Sequence, residues 1–125
     1  MTDFVSITGL GIICAIGNDA NEVLEALQRG ESGIRPMKYL SSKHTDLPVG
    51  EVQFSNDEMK ALLGIEDKTP ISRTSLMGAI SIRQALKSAG ISSLEGKRVA
   101  VISGTTVGGM DVTEKYYERM KYFHH

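Results

Sequence analysis

Cys14 is the chain's single cysteine, which excludes an internal disulfide framework and any cysteine-rich zinc site and fits a reducing compartment. A charge excess is also missing. Against 14 basic side chains stand 15 acidic ones, a formal net charge of -1, so neither nucleic acid nor an anionic membrane is indicated as a partner. No apolar run approaches the roughly 20 residues that span a bilayer, and the opening MTDFVSITG has neither the basic n-region nor the apolar h-region of a signal peptide. The expected location is cytoplasmic. His44 has no second ligand-type residue at metal spacing nearby and reads as a solvated loop histidine. No weight is placed on His124 and His125, and neither a metal site nor a cofactor is expected. No internal repeat of useful length is present.

With 125 residues, 41% of them hydrophobic, the chain is one domain at most and large enough to bury a core. Its organising stretch is 98–111, RVAVISGTTVGGMD. Val99, Ala100, Val101 and Ile102 form a short apolar run rich in β-branched residues, which predicts a strand covered on both faces. Gly104, Gly108 and Gly109 follow, and a helix opening near Met110 would point free N–H groups back at that loop. The loop is a candidate site wall. It has neither the Gly-Lys-Ser/Thr ending of a P-loop nor the spacing of GxGxxG, so it gives little support to nucleotide binding. A tight strand-to-helix connection without any ligand is the competing reading.

Taken in order, residues 4–8 predict a first strand ending at Gly9-Leu10-Gly11, and an apolar stretch from Ile12 to Ile16 leads to Gly17. Asp19 is a helix N-cap with Glu22 placed to close the cap, and Ala20, Val23, Leu24 and Leu27 mark one face of a helix that stops at Gly30. Residues 30–48 read as loop. A brief strand is expected over 50–54, followed by a capping box, Ser55 with Glu58, that starts a two-turn helix ending at Gly64. Pro70 fits the first turn of a long helix over 71–89, whose stripe runs through Leu76, Ala79, Ile82, Leu86 and Ala89, widened by Met77 and Ile80. Gly78, Ala79, Ser81 and Ala85 keep one side of it small enough for a neighbouring element to come close. A last helix runs from about Met110. This alternation predicts an α/β fold with parallel strands, yet two principal strands make a thin sheet for the apolar faces on offer.

Three separated stretches then carry a resemblance. VSITGLGIICAIGNDANEVLEALQRGESGIRP, ISRTSLMGAISIRQALKSAGI and RVAVISGTTVGGMDVTEKYYERM resemble, in order and spacing, the start of a β-ketoacyl-[acyl-carrier-protein] synthase. The similarity covers essentially the whole chain. It implies a partial thiolase-like fold, the beginning of the N-terminal half of an architecture layered α-β-α-β-α, so that residues 1–125 form an incomplete N-terminal domain. It also implies an acyltransferase. In that family an acyl chain passes from acyl carrier protein to a cysteine, malonyl-carrier protein is decarboxylated beside two histidines, and the carbanion attacks the thioester, in fatty acid or polyketide-type synthesis. A low-pKa thiolate and an oxyanion hole suit such chemistry.

By the resemblance, the nucleophile and both histidines fall after position 125. No catalytic residue is expected within the chain, which alone is expected to be inactive. Cys14 matches a position usually held by serine and sits among apolar neighbours, so it is expected to be a buried, inert thiol. Ala15 stands where proline is common. The resemblance carries substrate binding to Val107, the residue that lines and gates the acyl pocket, and to Thr106; Thr105 and Thr106 replace the usual Ser-Gly. Partner binding, docking of acyl carrier protein, falls to Lys68 and Arg73, set among acids and a proline in GIEDKTPISR, where two solvated charges are an equal reading. The complete protein is expected to be a homodimer or heterodimer. An alternative reading is a non-catalytic thiolase-like partner subunit that shapes chain length.

Overall fold

The computed structural model describes residues 4–66 and 70–121, and side chains to position 117. Its elements, in order, are α1 (Ala20–Gln28), β1 (Ile34–Arg35), β2 (Val49–Gly50), α2 (Asn56–Leu63), α3 (Arg73–Ser88) and α4 (Met110–Lys121).

Every helix start that the caps predict is present. Asp19 Oδ1 accepts from the amides of Asn21 and Glu22 at 2.9 and 3.0 Å, which satisfies two donors that the first turn leaves free. Glu22 reaches back one residue further than expected, to the Asn18 amide at 2.7 Å. The box at α2 is complete: Ser55 Oγ accepts from Glu58 N at 3.1 Å and Glu58 Oε2 from Ser55 N at 2.7 Å. Gly64, at φ 71°, closes α2 in the left-handed conformation that favours glycine. α3 departs from expectation at its start. Ser72 caps it, accepting from Ser75 N, so Pro70 lies before the helix and not in its first turn.

The core is the seam between α2 and α3. Met59, Leu76 and Ile80 are buried there with Ile13 and Val52, and Phe54, Leu63, Ile65, Ile71 and Met77 pack around them. Arg83 adds a tie, its Nη1 donating to the Leu62 carbonyl near the end of α2. The long helix therefore divides its apolar surface. Leu76 and Ile80 face α2, whereas Ile82, Ala85, Leu86 and Ala89 line a groove outside the core.

The small side of α3 takes a close neighbour, as its residues predict. A Cβ on Gly9 would collide with the Ala85 carbonyl and the Ala89 backbone, and one on Gly11 with the Ser81 carbonyl. Gln84 straps the same region down, accepting from Ile12 N at 2.9 Å and donating to Asn18 O at 2.6 Å. Between these ties, Cys14 N donates to Gly17 O at 2.9 Å in a tight turn. Cys14 is only partly buried, a correction to the expectation of a buried thiol, because the turn holds it at the edge of the core.

The strands are where sequence and structure part. Residues 4–8 and 99–102 join no ladder. Ile7 and Ile102 are more than nine-tenths exposed, since a strand needs a partner along its edge and cover on its faces. The sheet that is present is antiparallel and two residues wide, Ile34 opposite Gly50 and Arg35 opposite Val49. β1 lies in the stretch read as loop, and β2 takes in only the first residue of the span expected over 50–54. The result is a small α/β unit with four helices and a two-stranded sheet.

Candidate functional site

The candidate site is the loop over 103–109 together with the first turns of the helices it meets. α4 opens at Met110, where the sequence puts it. Gly109, at φ 88°, makes the turn that an L side chain resists, and its carbonyl accepts from Val112 N, Thr113 N and Thr113 Oγ1. The loop rests on α3: a Cβ on Gly108 would meet Thr74 Cγ2 at 3.3 Å and Thr105 Oγ1 at 2.8 Å. Thr106 is exposed and Val107 is 66% exposed. Neither side chain is buried.

Beside the loop runs an apolar groove of about 560 Å³, floored by Gly78, Ile82, Ala85 and Ala89 and walled by Thr8, Gly9 and residues 99–104. Its lining reaches Gly104 and stops short of Val107. A second cleft, of about 590 Å³, lies on the other side of α3 and includes Tyr39, Glu51, Arg73, Asp111 and Glu114.

Arg73 is the hub of that cleft. Its Nη1 donates to Phe54 O at 2.8 Å and Asn56 Oδ1 at 3.0 Å, its Nη2 to Val52 O at 2.8 Å, and its guanidinium stands 5.5 Å from the centre of the Tyr39 ring. Its amide donates to Asp111 Oδ2 at 2.9 Å. Nε and one Nη2 hydrogen remain uncommitted among the described residues. Lys68, the other docking candidate, lies outside the described residues.

Glu51 fixes the facing wall. Its carboxylate accepts from the amides of Lys38, Tyr39 and Leu40, the shortest at 2.6 Å. Burial pushes its pKa up, but the three amides and the nearby Arg73 outweigh burial and hold it below the ordinary glutamate value. The Tyr39 hydroxyl completes the wall by donating to Gln53 O at 3.0 Å.

The structure thus brings Arg73 and the Thr106–Val107 loop onto one helix end. It adds Asp111, Tyr39 and Glu51, which the sequence reading did not single out. An aspartate in a first helical turn is a visible signal, but its partner 38 positions away is not. Among the described residues no three His, Cys, Asp or Glu side chains gather as metal ligands, and no helix is long and apolar enough to cross a membrane.

Residues 2–124 match the family described as beta-ketoacyl synthase, N-terminal domain. Nodulation protein E of Rhizobium meliloti is 33% identical over 122 residues, covering 93% of this chain and 29% of that protein. The 3-oxoacyl-[acyl-carrier-protein] synthase 2 of Coxiella burnetii is 31% identical, over 93% of this chain and 28% of its own length. Synthase 1 of that name from Escherichia coli is 32% identical, over 82% of this chain and 25% of its own length. The chain therefore spans less than a third of the curated relatives it matches. No solved structure matches it significantly.

Proposed function

The chain belongs to the β-ketoacyl synthase N-terminal domain family, and from that premise we propose that it is the N-terminal portion of an enzyme that condenses an acyl thioester with malonyl-carrier protein. The observation that carries this reading is the family match over residues 2–124, which takes in the 103–109 loop and its seat on α3. In this reading Val107, with Thr106, borders the acyl chain. The exposure of both side chains supports that role, since they are free to meet a substrate and contribute little to the core. Acyl carrier protein is the partner, with Lys68 and Arg73 offering positive charge to its acidic surface. Arg73 docks through its net charge and the hydrogens that no described residue engages, because its other donors hold the fold together.

The chemistry needs a thiolate to carry the acyl group and donors to hold the charge that develops during condensation. Cys14 supplies neither. Its backbone is pinned in the turn to Gly17, and among the described residues no hydrogen bond joins its thiol to a base that would activate it. The chain by itself is therefore inactive in this reading. The test is direct: the chain, incubated with acyl- and malonyl-carrier protein, gives no β-ketoacyl product, while the intact enzyme that contains it does. Product formed by the chain alone and abolished by Cys14→Ser overturns the reading, as does an intact protein that binds both thioesters without condensing them.

A further inference from the structure

α3 begins without an acidic residue in its first turn. The N-terminus of a 16-residue helix carries partial positive charge and amides that its own backbone leaves unpaired. Ser72 serves the amide of Ser75. The amide of Arg73 is served from another element, by Asp111 Oδ2 at 2.9 Å. Asp111 is itself in the first turn of α4, so one carboxylate answers two helix N-termini and holds them together.

What Asp111 holds is the end of the candidate loop. Gly109, two residues before it, sits at φ 88°. A residue further back, Gly108 lies against Thr74 of α3. Gly104, at the other end, lines the apolar groove. The loop is thus fixed at its Gly108–Gly109 end to the first turn of α3, and Val107 rides just before that end. Both contacts of that end fall on consecutive residues, Arg73 and Thr74.

We propose that Asp111 is a positioning residue for this loop: its bond to the Arg73 amide sets where Val107 stands and thereby which acyl-chain lengths are accepted. The inference rests on the assignment of Val107 to the acyl pocket made above. It also joins two sites, since Arg73 anchors the loop through its backbone and faces the carrier protein through its side chain.

The test uses the intact enzyme and compares kcat/KM for short and long acyl-carrier proteins in the parent and in Val107→Phe, Asp111→Ala and Asp111→Asn. Losing a bond to a charged acceptor frees the loop by about tenfold in population. Asp111→Ala is expected to raise the long-to-short ratio by up to that factor. Asp111→Asn, which keeps an acceptor oxygen but loses the charge, is expected to raise it by less than Asp111→Ala. Val107→Phe lowers it. If Val107→Phe discriminates by length and Asp111→Ala slows every length alike, the positioning role is overturned and the pocket assignment stands. If Val107→Phe slows every length alike, the pocket assignment falls, and the control of chain length by Asp111 falls with it. Amide exchange at Arg73 in the chain itself checks the clamp separately, because that amide is the one Asp111 serves. It is expected to rise about tenfold in Asp111→Ala, with no rise over Leu76–Ser88; unchanged exchange at Arg73 in the alanine variant overturns the clamp.

Discussion

Glycines in this chain do three different jobs, and a single substitution tells them apart. Gly109 needs its positive φ, whereas Gly9 and Gly11 are required because α3 is too close for a Cβ. Gly78 has nothing within 4 Å of the position a Cβ would take, and it sits inside a helix, where glycine costs up to about 1 kcal/mol relative to alanine. Gly11→Ala should therefore lower stability by about 1–3 kcal/mol, because the obstructing Ser81 carbonyl belongs to a hydrogen-bonded helix and cannot swing aside. Gly78→Ala should raise it by up to about 1 kcal/mol. Urea unfolding of the two variants beside the parent chain measures both. Equal and small effects would mean that 9–11 does not lie on α3 as described. The small residues of α3 were legible as an invitation to close packing, while the identity of the guest was not, since Gly11 and Ser81 are 70 positions apart.

At the scale of elements, local chemistry was readable and pairing was not. Ser55 and Glu58 specify the start of α2 within four residues, and Asp19 specifies α1 as closely. Residues 99–102 specify only a willingness to be a strand. A ladder also needs a second strand, and that requirement is not contained in the segment. Glu51 shows the same limit on the polar side: nothing near it in sequence announces that it gathers the amides of Lys38, Tyr39 and Leu40. Its lowered pKa makes a pH prediction. Because the folded carboxyl ionises more readily than the unfolded one, its contribution is fully present above the ordinary glutamate value and is lost as pH falls through the lowered folded value. Glu51→Gln offers one acceptor oxygen to amides that had two, so stability at neutral pH should fall, by about 1–3 kcal/mol if an amide is left unserved. Chemical denaturation from pH 7 to pH 3 should show a smaller loss toward acid in the variant than in the parent. Parallel pH profiles would remove Glu51 from the account of the 38–40 wall.

Over the whole molecule, the balance of apolar surface sets behaviour. The seam between α2 and α3 is closed, with Met59 and Leu76 fully buried. The opposite side of α3 is open, and the segments walling it expose Phe4 at 89%, Val5 at 96% and Ile102 at 96%. Burial is worth roughly 25 cal/mol per Å² of apolar surface, so association that covers this side is favourable. Extended segments with free backbone N–H and C=O groups also offer an edge to another chain. The chain on its own should therefore self-associate, its average mass in sedimentation velocity rising with concentration, and it should bind a hydrophobic dye. Ile102→Lys tests the surface responsible: a side chain so exposed contributes little to the fold, and a lysine on a free edge opposes pairing. The variant should shift the distribution toward monomer and leave the unfolding free energy within about 0.5 kcal/mol of the parent. A parent chain that stays monomeric and excludes the dye at every concentration would mean that 4–8 and 99–102 are covered within the chain itself. In that case the groove beside Gly104 is closed too, and under the proposed function an acyl chain would have to approach Val107 from the side of α4.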